Sequence, residues 1–377
     1  MNVGLPRLCP LCGGQPHLSV MRASLPVFQN VTYTTAEAAR AAPRGSFALG
    51  TCTDCGFSYN ARFDEALVVY DEHYDNHVPS AAFGAYYRAL AEMLAERYPL
   101  GTGTVYDVGC GKGEFLRVLC DTVPETQGVG IDPSCQPSMV GNMRLEQTVF
   151  DGSTFATDTR IVICRHVLEH IAEPLGFLKA LCAAMPDAPL FVEVPDLDWI
   201  LQNGAFWDFC YEHCNYFTLP TLRFALESAG FVVETQQRSF GEQYQWAVCR
   251  PAKRDVKAQS DPAGALRAVN AYAAEESGRI AEIGRIALGA DGVILWGMAT
   301  KGVILSLLLP HGMVLGGIDS NVAKQGRFAA GSGVEIHPPE WLAARCTAQV
   351  IVMNPNYAIE IGAQVAVLNA AVKTVVL

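Results

Sequence analysis

Four patches of this 377-residue chain carry residue types at spacings that can do chemistry. Asp107-Val108-Gly109-Cys110-Gly111-Lys112-Gly113-Glu114 sits between an apolar run and a helical pattern. Glycines there let the backbone approach a ligand, and the start of a helix offers N–H groups. A dinucleotide fingerprint would need glycine at position 114, which holds Glu114, and no G-K-[ST] follows to make a phosphate loop. Acids at both ends suit a ligand that is not a polyphosphate, with Asp107 facing a cationic or amine group. Asp132 ends the next apolar segment, where a carboxylate can accept both hydroxyls of a ribose. Phe150-Asp151-Gly152 follows, an aromatic and an acid that can hold an adenine ring.

The second patch is a pair of knuckles, Cys9-x-x-Cys12 and Cys52-x-x-Cys55, each followed by a glycine. Four thiolates in two such turns suit a tetrahedral, structural Zn2+. No position is left open for catalysis. The third, His166-Val167-Leu168-Glu169-His170, matches the inverted zinc-protease signature H-x-x-E-H. It follows the buried-strand pattern Ile161-Val162-Ile163-Cys164 directly and shows no partner carboxylate, so a protease is not expected. The fourth is FWDFCYEHCNYF at 206–217, in which Tyr211, Glu212, His213 and Tyr216 can bind hydroxyls, stack a ring and move protons.

The elements that must position these patches are legible as periodicities. AAFGAYYRALAEMLAERY at 81–98 is helical, and apolar runs at TVYDV, QGVGI, RIVICR and PLFVEVP alternate with helical stretches. Alternation of that kind predicts a doubly wound, mainly parallel α/β sheet. Around Pro251 the chain turns polar, then predicts a long helix over about 264–288 and a second alternating region to the end. The expected organisation is 1–78, a zinc-binding domain; 79–250, the central domain; 251–288, a linker and long helix; and 289–377, a smaller α/β domain. The apolar window 293–318 imitates a membrane span, but its glycines and Pro310 read better as strand, turn and helix.

Composition narrows the class. Half of the residues are apolar and 17% are charged, enough for sizeable cores. A net charge of −11 argues against nucleic acid or an anionic membrane as partner. Thirteen cysteines without a secretory pattern point to a reducing, cytoplasmic setting.

In combination, D-V-G-C-G-K-G, the Asp132 acid, V-F-D-G and C-R-H-V-L-E-H-I resemble the class I S-adenosylmethionine-dependent methyltransferases. The whole chain resembles a narrower family, the sugar C-methyltransferases of deoxysugar biosynthesis. The matching segments are the two cysteine knuckles, V-Y-D-E-H-Y, Y-E-H-C-N-Y-F, W-G-M-A-T-K-G, D-S-N-x-x-K-Q-G-R-F and N-P-N-Y. The resemblance implies a Rossmann-like class I methyltransferase fold, flanked by a small N-terminal zinc domain and a C-terminal Rossmann-like domain. It assigns the cofactor to Asp107, Gly109, Cys110, Gly111 and Gly113, with Asp132, Pro133, Asp151, Gly152, Arg165 and His166. The implied acceptor is a nucleotide-linked 4-keto-6-deoxy sugar, methylated on the carbon beside the ketone, with an O- or N-methyltransferase of a related small molecule as the alternative. His213 with Glu212 is the implied base, His170 a second polar group, and Tyr70 and Tyr74 phenols that reach the enolate. Lys301, Lys324, Arg327 and Asn354, with Gly297 and Asp319, would border the nucleotide, the basic pair facing the diphosphate. Many family members carry His-Glu-His where this chain has Tyr211-Glu212-His213. The chain is expected to work as a monomer or weak dimer.

Overall fold

Apolar strands between residues 104 and 251 are drawn together because the central ones, Thr104–Val108, Thr159–Arg165 and Leu190–Pro195, bury side chains on both faces, which only a helix-covered sheet can satisfy. In the computed structural model, which describes residues 5–69, 80–252, 260–290, 292–345 and 349–377, they form one eight-stranded sheet. In spatial order its strands are Phe231–Ser239, Tyr244–Pro251, Leu190–Pro195, Thr159–Arg165, Thr104–Val108, Gln127–Ile131, Met143–Glu146 and Ser138–Val140. The five from Leu190–Pro195 to Met143–Glu146 run parallel; Tyr244–Pro251 is antiparallel to both of its neighbours. Chain order reverses about Thr104–Val108, and such a switch point leaves a crevice beyond the strand ends. The helix Glu114–Thr122 buries Phe115, Leu116, Leu119 and Cys120 on one face against this sheet. Its first residue follows Gly113, held at φ 78°.

The cysteine-bearing start of the chain is more regular than its turn-rich sequence suggested. Pro16–Pro26 pairs antiparallel with Arg44–Cys52, which pairs with Ser58–Asn60. The fourth strand of that sheet, Asn215–Tyr216, comes from the aromatic segment near position 210. Likewise Thr32–Tyr33 forms the edge of the C-terminal seven-stranded sheet, pairing with Arg327–Ala329. Two short strands thus stitch three sheets together.

The long helix spans Pro262–Gly289, with the Asp261 side chain accepting from Gly264 N. It braces the N-terminal sheet: Arg22 Nη2 and Glu276 Oε1 lie 2.7 Å apart, and Tyr272 donates to the same carboxylate. Window 293–318 resolves into Val293–Trp296, the helix Thr300–Leu308 and Val314–Ile318, as expected. No helix among the described residues is long and apolar enough to cross a membrane. One apolar core runs through all three parts, joining Phe47 and Leu49 to Trp199 and Phe209 and onward to Ile304 and Met353.

Candidate active site

Two cavities, of about 290 and about 310 Å³, meet beyond the strand ends. Tyr87, Glu114, His166 and His170 line both. The first is formed by the glycine turn, Asp107, Asp132, Pro133, Phe150 and Arg165. Backbone conformation explains the glycines: Gly109 sits at φ 77°, and a Cβ there would lie 2.1 Å from Val167 Cγ2. Burial pushes the Asp107 carboxyl up to about 7, against the pull of Arg165. Asp132 accepts from Gly111 N at 2.9 Å and, through its other oxygen, from Ser134 N at 2.7 Å and the Ser134 hydroxyl at 2.6 Å. Those bonds fix its carboxylate on the cavity wall. Asp151 and Gly152 depart from expectation. Both are exposed and outside the lining, because Ser153, two residues on, captures the Asp151 carboxylate with N–H and hydroxyl. Val149 and Phe150 face the cavity instead. The volume, glycine turn and fixed acid fit an adenosyl ligand with a charged amino-acid end.

Between the cavities runs a buried row of alternating charges. Arg165 Nη2 donates to Glu193 Oε1 at 2.7 Å, its guanidinium stacked over Phe115 and Tyr87. The Tyr86 hydroxyl donates to Glu193 Oε2. His166, held at φ 54°, places Nε2 2.9 Å from Glu193 Oε1, an ion-pair contact out of hydrogen-bond alignment. Its Nδ1 lies 3.4 Å from Glu169 Oε1. Burial alone would depress His166, but the two carboxylates outweigh it and raise the imidazole to about 9. Burial likewise pushes Glu193 up, yet Arg165 and His166 bring it down to about 2. The H-x-x-E-H segment therefore has partner carboxylates after all. It is also not an α-helix: only Leu168–His170 form a 3-10 turn, so the two histidines share no helical face.

The second cavity holds the proton-handling groups. His170 Nδ1 lies 3.1 Å from the Glu212 carbonyl, which can only accept, so Nδ1 carries the hydrogen. His213 meets His170 edge-on with ring centroids 4.8 Å apart. Burial, then the charges of His170, His166 and Lys301, hold His213 well below the ordinary histidine range. Donor atoms of Glu169, His170 and His213 all lie within 4.8 Å of one another.

Not every expected residue arrives here. The Glu212 carboxylate turns away, with Oε1 3.5 Å from Gln29 N. Tyr211 is fully buried, its hydroxyl bound to the backbone of Asp64, and Tyr216 is buried with its hydroxyl on the backbone of Cys210. Neither lines a cavity; both pin the loop that carries His213. Tyr70 and Tyr74 lie outside the described residues. Lys301, Lys324, Asn354, Gly297 and Asp319 do line the second cavity. Lys301 Nζ is 2.5 Å from Asp208, and Lys324 Nζ donates to Asn30 at 3.2 Å. Arg327 does not line it: its guanidinium clips the Thr32 hydroxyl and carbonyl, joining the two edge strands. Sequence reasoning missed Tyr86, Tyr87, Glu193 and Tyr244. Glu193 had a signal, a lone acid inside the apolar run LFVEVP.

Outside the lining of these cavities, Cys9, Cys12, Cys52 and Cys55 bring all four Sγ atoms within 4.8 Å. Gly13 and Gly56, both at φ 76°, turn each knuckle, and their N–H groups bond back to the carbonyls of Cys9 and Cys52. The donor set is compatible with zinc.

Known proteins resemble the chain. A methyltransferase-domain family model matches residues 74–236. C-methyltransferase NovU of Streptomyces niveus is 30% identical over 303 residues, 73% of this chain and 72% of that protein. Trans-aconitate 2-methyltransferase of Rhodopseudomonas palustris is 28% identical over 115 residues, 29% of this chain and 45% of its own. Among solved structures, SAH-bound CalO1, a methyltransferase in calicheamicin biosynthesis, aligns at 20% identity and TM-score 0.36, covering 45% of this chain and 55% of that one. With its class I fold, the chain is an S-adenosylmethionine-dependent methyltransferase, and it belongs to the sugar C-methyltransferase family.

Proposed function

We propose that the chain methylates carbon, on the position beside the ketone of a nucleotide-linked 4-keto-6-deoxy sugar. The observation that carries this reading is the junction of the two cavities, where His213 stands on the acceptor side as a neutral imidazole. A proton beside a ketone is weakly acidic, so its removal needs a positioned base. S-adenosylmethionine, when bound, supplies an electrophilic methyl group. Asp107, Asp132 and the glycine turn hold it; His213 takes the proton; His170 shares the wall. Tyr87, Tyr244 and Tyr357 wall the acceptor cavity with aromatic rings. Lys301 and Lys324 are the cations positioned for a diphosphate among the described residues.

We assign the four-cysteine cluster to a structural zinc. It would act by folding the N-terminal lobe, whose sheet depends on the knuckle that follows Arg44–Cys52.

The test uses a nucleotide-linked 4-keto-6-deoxyhexose in heavy water, followed by proton NMR with and without S-adenosylmethionine. Enzyme-dependent loss of the hydrogen beside the ketone, and a new methyl on carbon, are expected. Methylation on oxygen or nitrogen without exchange at carbon would replace this reading.

A further inference from the structure

We propose that Glu169, and not the adjacent-in-sequence Glu212, is the carboxylate partner of His213: a positioning residue that balances the charge His213 acquires when it takes the acceptor proton. This rests on the carbon-methylation reading above.

The problem His213 poses is electrostatic. Burial disfavours its charged form first, and these groups facing it add no compensating negative charge: His170 on the 3-10 turn Leu168–His170, His166 just before that turn, and Lys301 on the helix Thr300–Leu308. Asp208, on the 3-10 turn Phe206–Asp208, faces the same cavity but is bound to Lys301. When the acceptor C–H bond breaks, its electron pair passes into the enolate and the proton moves to the His213 imidazole. A buried imidazolium in such a place is strongly disfavoured unless a negative charge stands close.

Glu212 cannot serve from its observed position, because its Oε1 faces Gln29 N in the N-terminal lobe and its residue does not line the cavity. Glu169 can. It is 2% exposed, it lines the acceptor cavity, and it has an oxygen within 4.8 Å of the His213 ring nitrogen. Its Oε1 is oriented by His166, while its buried Oε2 has no hydrogen-bond partner among the described residues. A buried carboxylate oxygen left without a donor is costly. A protonated His213 is the donor that the reaction itself would provide. In the resting enzyme His166 neutralises Glu169; during proton transfer the imidazolium of His213 supplies the missing contact. The row Arg165–Glu193–His166–Glu169 thereby ends at the base.

The experiment follows two rates on the full chain with the same 4-keto-6-deoxyhexose: hydrogen exchange beside the ketone with S-adenosylhomocysteine bound, and methyl transfer with S-adenosylmethionine. For E169Q, exchange and kcat are expected to fall about 10- to 100-fold. Affinity for S-adenosylhomocysteine should hold. Loss of the negative charge should also move the acid limb of the rate profile to lower pH. E169Q/H213A should be no slower than H213A alone, a non-additivity that a merely structural role would not produce. E169D, if the glutamine variant folds poorly, should recover part of the exchange rate. Unchanged exchange and an unchanged pH profile in E169Q, or full additivity with H213A, would overturn the assignment. If wild-type enzyme neither exchanges nor methylates the probe, the carbon-methylation reading fails and takes this inference with it. Normal wild-type turnover with an indifferent E169Q sinks only the inference.

Discussion

At neutral pH His213 is a lone-pair imidazole, because burial above all, with Lys301 and the neighbouring histidines, holds it below its ordinary range. The proposed role as base therefore predicts a selective defect: His213→Ala should keep cofactor affinity while kcat falls at least about 100-fold. Isothermal titration with S-adenosylhomocysteine and steady-state kinetics would check both halves; near-normal turnover would remove His213 from the role. His166 makes a different prediction. Its folded value, about 9, lies above the ordinary histidine value of 6.5. Its contribution to stability is thus complete below pH 6.5 and is lost as pH rises through 9. Thermal melting of wild type between those limits should show a decline that His166→Asn flattens. Glycine chemistry in the turn was readable from sequence alone, and Gly109→Ala should show why. At φ 77° and 2.1 Å from Val167 Cγ2, the added methyl forces the turn apart, so cofactor affinity should drop by at least about tenfold. The partners of His213 and His166 were not readable, because Glu193 and Glu169 approach them through sheet register and a 3-10 turn rather than through spacing. Tyr211 and Tyr216 misled for the opposite reason: a polar aromatic announces a hydrogen bond but not whether its partner is backbone or substrate.

Elements were more legible where one periodicity persisted. Four of the five parallel strands, the helix at 81–97 and the long helix after Pro262 all follow from apolar spacing; the fifth, Met143–Glu146, is too short and too polar to announce itself. Short strands did not, because two residues carry no period: Thr32–Tyr33 and Asn215–Tyr216 exist only by virtue of the edges they pair with. The knuckles were legible as a ligand set, though the antiparallel sheet built on them was not. If a metal supplies that lobe's folding energy, chelation should act there first. Treatment with a strong chelator is expected to release about one zinc per chain and lower the melting temperature. Proteolysis should then begin within the first sixty residues, with the cofactor turn still protected. A chain that carries no zinc as purified and melts identically with chelator would refute the assignment.

Across the whole molecule, the acceptor cavity belongs to no single sheet. Asp208 and His213 come from the central part, Lys301 and Asn354 from the C-terminal part, and Asn30 from the N-terminal lobe. Lys301→Ala should therefore separate the two substrates, raising KM for the sugar nucleotide about tenfold while leaving the cofactor dissociation constant unchanged. Equal effects on both would place the diphosphate elsewhere. The stitching strands carry a further consequence, for biosynthesis. Tyr33 emerges early from the ribosome, yet its pairing partner Phe328 is made roughly 300 residues later, tens of seconds at common elongation rates. Thr32–Tyr33 must wait without its strand partner through most of translation. The yield of this protein should therefore depend on elongation speed more than its final stability would suggest, and slowing translation should change it.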